Sequence, residues 1–455
     1  MKNNNIMPNQ TFPKKNNVVT RFAPSPTGNL HCGAYRTAIF AYLYARKNKG
    51  TFVVRIEDTD KERSRKEYED NIIESLSWLG LEYDVFIRQS ENVLRHKEIL
   101  EKLIVDGYAY ISKEEAKDGS GVIKEIVRFK NPNIDVSFED EIKGTVTMHT
   151  ADLGDFVIAK NIHEPLFHLA VVVDDFDAGI THIIRGEDHV SNTPRQILIQ
   201  RAIGAPTPMY AHLPLVLGDD KQKLSKRKGA LAVTEYRDQG YLSPALLNMV
   251  TMVGWNPGTK QEIFSKQDLI EVFDFSKVQK SPAIFNEEKL NWYNKFYLNK
   301  LSFEEQKKYV TRFVDKKLSE TPFFGSIVPI VLERVSNGAE IREAATSGEY
   351  SYYIEDPIYD PNKLIWKQST IDETKIHLQY VFDQLQKINK SNFTQAVFKD
   401  MIWEYATEKG KGNVLWPIRY ALTGADRSPD PLILVGVLGY DSTVARVKKA
   451  LDLLV

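Results

Sequence analysis

The chain has 455 residues, more than one hydrophobic core covers, so roughly two to four domains are expected. With 42% hydrophobic residues, 27% charged residues and a net charge of −1, it is neither a disordered nor a polybasic protein, and any polyanion must be held by local basic patches. A single cysteine excludes an internal disulfide and a cysteine zinc site and fits a reducing cytosol, and no stretch approaches the roughly 20 apolar residues of a membrane span.

The first 17 residues are polar and read as a mobile tail. Val18–Phe22 is a short apolar strand, followed by the turn-rich loop "APSPTG". Ala34–Asn48 reads as a helix, because Ala34, Ala38, Ala41 and Ala45 recur close to helical spacing and Gly50 follows. Phe52–Ile56 is a second strand and Arg63–Leu79 a second helix, stopped at Gly80. This order implies an α/β protein with a parallel sheet of the nucleotide-binding type. From about Ile87 to Ile162 the pattern is irregular, with a helical piece at Ser90–Val105 and a strand-like one at Val122–Phe129. Strands are expected again at Leu166–Val173, Ile180–Ile184 and His212–Leu217, with a helix at Thr193–Ala202. The middle therefore reads as an insertion within a split sheet domain. Beyond about Ser243 helices dominate, beginning with Tyr236–Val253, Lys266–Phe273 and Asn286–Tyr297.

Two segments carry chemistry. A strand running through "RFAPSPTGNLHCG" into a helix offers free N–H groups and partial positive charge to phosphates, and His31 can donate to an oxygen on which charge builds. Neither G-x-G-x-x-G nor a P-loop lysine is present. The local alternative is a loop histidine satisfied by its neighbours. The second segment, "KQKLSKRKG" (Lys221–Gly229), has five basic residues in its first eight and directly follows the apolar strand "HLPLVLG". Against the reading of a solvated charge run stands its placement, which suits a loop clamping a triphosphate with Lys223 and Lys226.

In this order, about 190 residues apart, the two segments resemble the His-Ile-Gly-His and Lys-Met-Ser-Lys-Ser signatures of class I aminoacyl-tRNA synthetases. "VRIEDTD", "VVVDD", "IIRGEDHVSNTPRQ", "VGWNPG", "SPAIFNEEKLNW" and "PIRYALTG" continue the likeness to the glutamyl branch, of bacterial and organellar type, from Val18 to the C-terminus. "APSPTG" favours the glutamyl over the glutaminyl branch. Nucleotidyl transferases that share His-x-Gly-His loops lack such a helical second half.

The resemblance implies a Rossmann-like catalytic domain in two parts, 18–86 and 163–235, split by an acceptor-end-binding insertion at 87–162. A stem-contact helical domain at 236–301 and an all-α anticodon-binding region at 302–455 would follow. It implies ATP-dependent ligation of L-glutamate to the 3′ end of tRNA-Glu through glutamyl-adenylate; the alternative is an enzyme that also charges tRNA-Gln. Arg21, Ala23, Ser25, Glu57, Phe167 and Arg185 would hold glutamate, Glu57 through its ammonium, with guanidinium forks suiting carboxylates. His31, Gly33, Glu187, Leu213, Val216 and Lys226 would hold ATP, with His31, Lys223 and Lys226 acting on the phosphates. Asp58–Asp60 can equally cap the next helix, and Asp60 and Arg419 would touch tRNA. For Trp416, Ile418 and Tyr420 core packing is the preferred reading. Mg²⁺ would accompany ATP. A cytoplasmic monomer is the family's default.

Three departures stand out. Phe167 occupies a position where the branch usually has tyrosine, so one glutamate contact is in doubt. The segment between Tyr110 and Val127 is shorter than usual and has no cysteine, so no zinc is expected. Cys32 replaces the usual Ile or Val and reads as a packing residue.

Overall fold

The structure, a computed structural model, describes residues 17–115, 122–218, 220–222, 224 and 231–454, apart from the side chain of Cys32. Lys223, Lys226 and nearly all of the tail lie outside the described residues. The chain divides into two compact units, 1–293 and 294–455.

In the first unit β1 (Val19–Phe22), α1 (Cys32–Lys47), β2 (Thr51–Ile56), α2 (Lys66–Leu79) and β3 (Val85–Arg88) alternate as strand and helix. Small residues let α1 lie close against β1: Ala38, Ala41 and Ala45 are fully buried, and Thr20 Oγ1 donates to the Ala41 carbonyl at 2.8 Å. Gly80 stops α2 in the left-handed region, at φ 69°, where a side chain would be strained.

Next come α3 (Val93–Val105), β4 (Ala109–Glu115), β5 (Ile123–Phe129), β6 (Asp135–Asp140), β7 (Gly144–His149), β8 (Phe156–Asn161) and β9 (Glu164–Pro165). Then follow α4 (Phe167–Asp177), β10 (His182–Gly186), α5 (Thr193–Ile203), β11 (Met209–Leu213) and β12 (Val216–Leu217). The unit continues with α6 (Val233–Asp238), α7 (Ser243–Met252), α8 (Lys266–Val272), β13 (Ala283–Ile284) and α9 (Glu287–Lys300), along which the division falls.

The main sheet has the order β3-β2-β1-β10-β11-β6-β7, parallel from β3 to β6. Strand order reverses direction between β1 and β10. Such a switch point opens a crevice at the carboxyl ends of the strands. The middle segment is woven into this sheet rather than set apart: β6 and β7 extend its edge, while β4, β5, β8 and β9 form a separate four-stranded sheet. In the short segment between Tyr110 and Val127, residues 110–115 and 123–127 belong to the antiparallel pair β4–β5, with Ile111 opposite Val127.

Several expectations change. Leu166–Val173 is not a strand but most of α4. Leu169 through Val173 are buried on all sides, and a run buried all round has no helical periodicity to show. The expected strand at His212–Leu217 breaks at Pro214, so that β12 leaves the main sheet and pairs with β13. The expected helix Tyr236–Val253 is two helices, broken around Gly240 and restarted by Pro244 in the first turn of α7. β3, β6 and β7 have no counterpart in the sequence reading.

The second unit is helical: α10 (Phe303–Thr311), α11 (Lys316–Ser319), α12 (Phe324–Arg334), α13 (Gly338–Thr346), α14 (Ile371–Leu385), α15 (Gln395–Lys409), α16 (Lys411–Thr423) and α17 (Pro431–Asp452). Ile418, Leu422, Leu434, Val435 and Val447 are fully buried in its core. Among the described residues no helix is long and apolar enough to cross a membrane.

Candidate active site

A cavity of about 370 Å³ opens at the switch point, over the ends of β1 and β10. It is lined by Arg21, Ala23, Ser25, His31, Gly33, Glu57, Phe167, Arg185, Leu213 and Val216, so ten residues singled out in the sequence meet there. The turn-rich loop is fixed by its own carbonyls. Pro24 O accepts the Glu57 N–H at 2.9 Å and Pro26 O accepts the Arg65 N–H at 3.0 Å, which ties the loop to the end of β2 and the start of α2. His31 occupies the N-cap position of α1 without a side-chain capping bond, and the first turn of α1 holds no acidic residue, so its N-terminal N–H groups and dipole are left to a ligand anion. A Cβ on Gly33 would lie 3.0 Å from His31 Nδ1, so the glycine leaves room for the imidazole.

Beneath the cavity lies a buried charge array. Arg21 Nε donates to Asp175 at 3.2 Å and its Nη1 to the Ile184 carbonyl at 3.2 Å. Arg55, fully buried, reaches Asp175 at 2.5 Å and Glu57 Oε1 at 3.0 Å. Asp174 takes Gln89, Asn92 and His96 at 2.7–2.8 Å. Burial opposes the charge on Asp175, but Arg21 and Arg55 outweigh it and hold its pKa below the ordinary range. Glu57 goes the other way: its burial outweighs Arg55 and Arg21 and raises its pKa.

Arg185 donates to His212 Nε2 at 3.1 Å, Gln196 Oε1 at 2.7 Å and Thr193 Oγ1 at 2.8 Å. Burial lowers its pKa to about 10, where it is still a cation at neutral pH. Burial also lowers His168 and His189 to about 4, with Arg195 and Arg185 respectively adding to it, so both rings are neutral at neutral pH. The Phe167 ring lies 5.4 Å from His168 and 5.8 Å from His189.

Glu187 does not line the cavity. Its Oε1 accepts the Leu215 N–H at 2.9 Å and its Oε2 accepts Lys143 Nζ at 2.7 Å, so it braces the β11–β12 connection. Asp188 and His189 line the cavity instead. Asp60 is outside it, paired with Arg63 at 2.6 Å. In the second unit, Arg419 stacks over Trp416, 4.4 Å from the ring centroid, and donates to the Asp426 carbonyl at 3.0 Å. Trp416 packs on Trp366 at 4.8 Å and is half-buried, while Ile418 and Tyr420 are core.

A family model described as the catalytic domain of class I tRNA synthetases (E and Q) matches residues 17–118 and 111–292, and an anticodon-binding-domain model matches 291–451. The chain belongs to the class I tRNA synthetases of this E and Q family. It is 40% identical to a glutamate–tRNA ligase of Aquifex aeolicus, over 96% of this chain and 99% of that protein. It is 38% identical to one of Nitrosospira multiformis at the same coverage. A crystal structure of a glutamate tRNA ligase from Elizabethkingia meningosepticum in complex with its amino acid superposes with a TM-score of 0.84 at 29% identity, covering 97% of this chain and 100% of that one.

Seen as a synthetase fold, the site includes residues that sequence reasoning missed: Arg36, Arg55, Asp188 and His189. The signal for Arg55 was a charged residue inside the apolar run Phe52–Ile56, a placement costly unless partnered. Arg36 carries the same signal in α1, where it is 1% exposed and donates to the Pro214 carbonyl at 3.0 Å.

Proposed function

We propose that the protein is a glutamate–tRNA ligase that activates L-glutamate with ATP and transfers it to the 3′ end of tRNA-Glu. The observation that carries the substrate class is the pair of buried arginines, Arg21 and Arg185, at the ends of neighbouring parallel strands and on one cavity with Glu57. In this reading Arg185 and Arg21 hold the side-chain carboxylate, Glu57 receives the ammonium, and Ala23, Ser25 and Phe167 complete the glutamate site. The Elizabethkingia glutamate tRNA ligase was crystallised in complex with its amino acid, which supports a glutamate pocket in the same fold.

ATP lies over the N-terminus of α1 beside His31 and Gly33, with its base near Leu213 and Val216. The glutamate α-carboxylate attacks the α-phosphorus, the bond to the β-phosphate oxygen breaks, and pyrophosphate leaves. The 2′-hydroxyl of the terminal adenosine then attacks the acyl carbon, and AMP leaves. No side chain needs to act as a nucleophile. Alignment and preorganised charge supply the acceleration. Magnesium enters with ATP as part of the substrate; among the described residues no group of three or more His, Cys, Asp or Glu side chains is placed to hold an ion of its own. Lys223 and Lys226, which follow β12 in the chain, clamp the phosphates. Asp60 and Arg419 contact tRNA, and a cytoplasmic monomer without zinc completes the reading.

The test is charging with glutamate and ATP on tRNA-Glu and tRNA-Gln separately, together with pyrophosphate exchange in the presence of tRNA. Lys226→Ala is expected to cut exchange by on the order of a hundredfold while tRNA binding is kept. Near-normal exchange in that variant would overturn the role of Lys226.

A further inference from the structure

The turn between β6 and β7 lines no part of the cavity, yet it holds β11, whose end lines it, and Glu187, just after β10. Asp140, 4% exposed, closes β6. Its Oδ1 accepts the N–H groups of Ile142 at 3.0 Å and Lys143 at 2.8 Å. Its Oδ2 accepts the main-chain N–H of His212 at 3.0 Å and lies 2.6 Å from His212 Nδ1. A carboxylate only accepts, so Nδ1 is the donor and Nε2 is left as an acceptor. That acceptor takes the Arg185 Nε–H at 3.1 Å, and Thr193 Oγ1 lies 3.2 Å from the same nitrogen. With Gln196 and Thr193 on its two other nitrogens, Arg185 has committed three of its five N–H groups to protein acceptors, which leaves two for the cavity it lines. In the opposite tautomer an imidazole N–H would face the Arg185 Nε–H and push the guanidinium away.

We propose that Asp140 and His212 are positioning residues for glutamate: the carboxylate fixes the imidazole tautomer, and the imidazole fixes the Arg185 orientation that receives the substrate carboxylate. The middle segment thereby sets amino-acid affinity from outside the cavity. The same turn braces the β11–β12 connection through Lys143 and Glu187. This inference rests on the reading of Arg185 as the holder of a glutamate carboxylate.

Two variants of one residue separate positioning from mere packing. His212→Gln can place an amide oxygen where Nε2 sits, whereas His212→Asn keeps a partner for Asp140 and is too short to reach Arg185. In steady-state aminoacylation with tRNA present, KM for glutamate is expected to rise about tenfold in His212→Asn and to stay within about threefold of the parent in His212→Gln, the scale of one hydrogen bond to a charged group. KM for ATP should change in neither. Equal KM values for glutamate in the two variants overturn the proposal, because a packing role lowers the active fraction without separating them. Should His212→Asn not fold, Asp140→Asn replaces it. The same rise in KM for glutamate is then expected, and an unchanged value overturns the proposal. A parent enzyme that charges no glutamate would instead overturn the glutamate–tRNA ligase reading, so the two failures are distinguishable.

Discussion

Buried arginines occur in both units, and they do different things. In the first unit Arg21, Arg55 and Arg185 sit at strand ends; two of them share Asp175, and two line a cavity. In the second unit Arg446, 6% exposed, donates to the carbonyls of Tyr352, Leu422 and Glu355. Arg446 is internal glue that gathers three chain segments. Arg185 also commits three of its five N–H groups to protein acceptors, but it lies on a cavity wall where the other two can meet a ligand. Neither burial of a guanidinium nor donors left over therefore mark a site. Their place on a cavity wall does.

This contrast breaks if the two kinds of arginine respond alike to loss of charge. Arg185→Gln is expected to lower kcat/KM for glutamate by about a hundredfold or more, as truncating one partner of a buried charge pair does. An effect under threefold would remove Arg185 from the glutamate site. Asp175→Asn should act next most strongly, and on stability: it leaves Arg21 and Arg55 short of a counter-charge and is expected to cost about 3 kcal/mol in denaturant unfolding of the first unit. Its sign with pH follows from the lowered pKa. The stability that Asp175 contributes is present above the ordinary carboxylate range and is lost as pH falls through the native value, so the gap between parent and variant should narrow in acid. Arg446→Gln is expected to cost about 2 kcal/mol of stability in the second unit, with KM for glutamate unchanged. A shift in that KM would erase the distinction between glue and site.

The run from β1 to α2 is legible in the sequence because small residues repeat at helical spacing in α1 and glycines stand past the helix ends. The loop residues of the site are legible for a different reason: they are contiguous or nearly so, and their types announce phosphate and carboxylate chemistry. What stays hidden is long-range. Asp140 and His212 are 72 positions apart, and only the parallel pairing of β6 with β11 puts the two side chains together. Glu187, one residue before two cavity residues, is turned away because its oxygens are used by Leu215 and Lys143, which no local pattern encodes. α4 reads as a strand because its five consecutive residues Leu169–Val173 are all apolar and all buried, which leaves no helical periodicity.

The smallest expected effect concerns Phe167, which the sequence resemblance sets apart. Phe167 opens α4, lines the cavity and is 37% exposed, so its ring is not enclosed by protein. A hydroxyl added there extends toward the cavity without a core to displace. In the glutamate reading it adds one neutral donor beside Arg185 and the neutral ring of His189. A single neutral hydrogen bond is worth about 1 kcal/mol, so Phe167→Tyr is expected to lower KM for glutamate about fivefold and to leave KM for ATP and the unfolding midpoint in place. If KM for glutamate does not move, the neighbouring donors already saturate the substrate and Phe167 is only wall. If it falls, the cavity in this chain is short of one donor, and the two N–H groups kept by Arg185 carry more of the recognition than they do in the Phe167→Tyr variant.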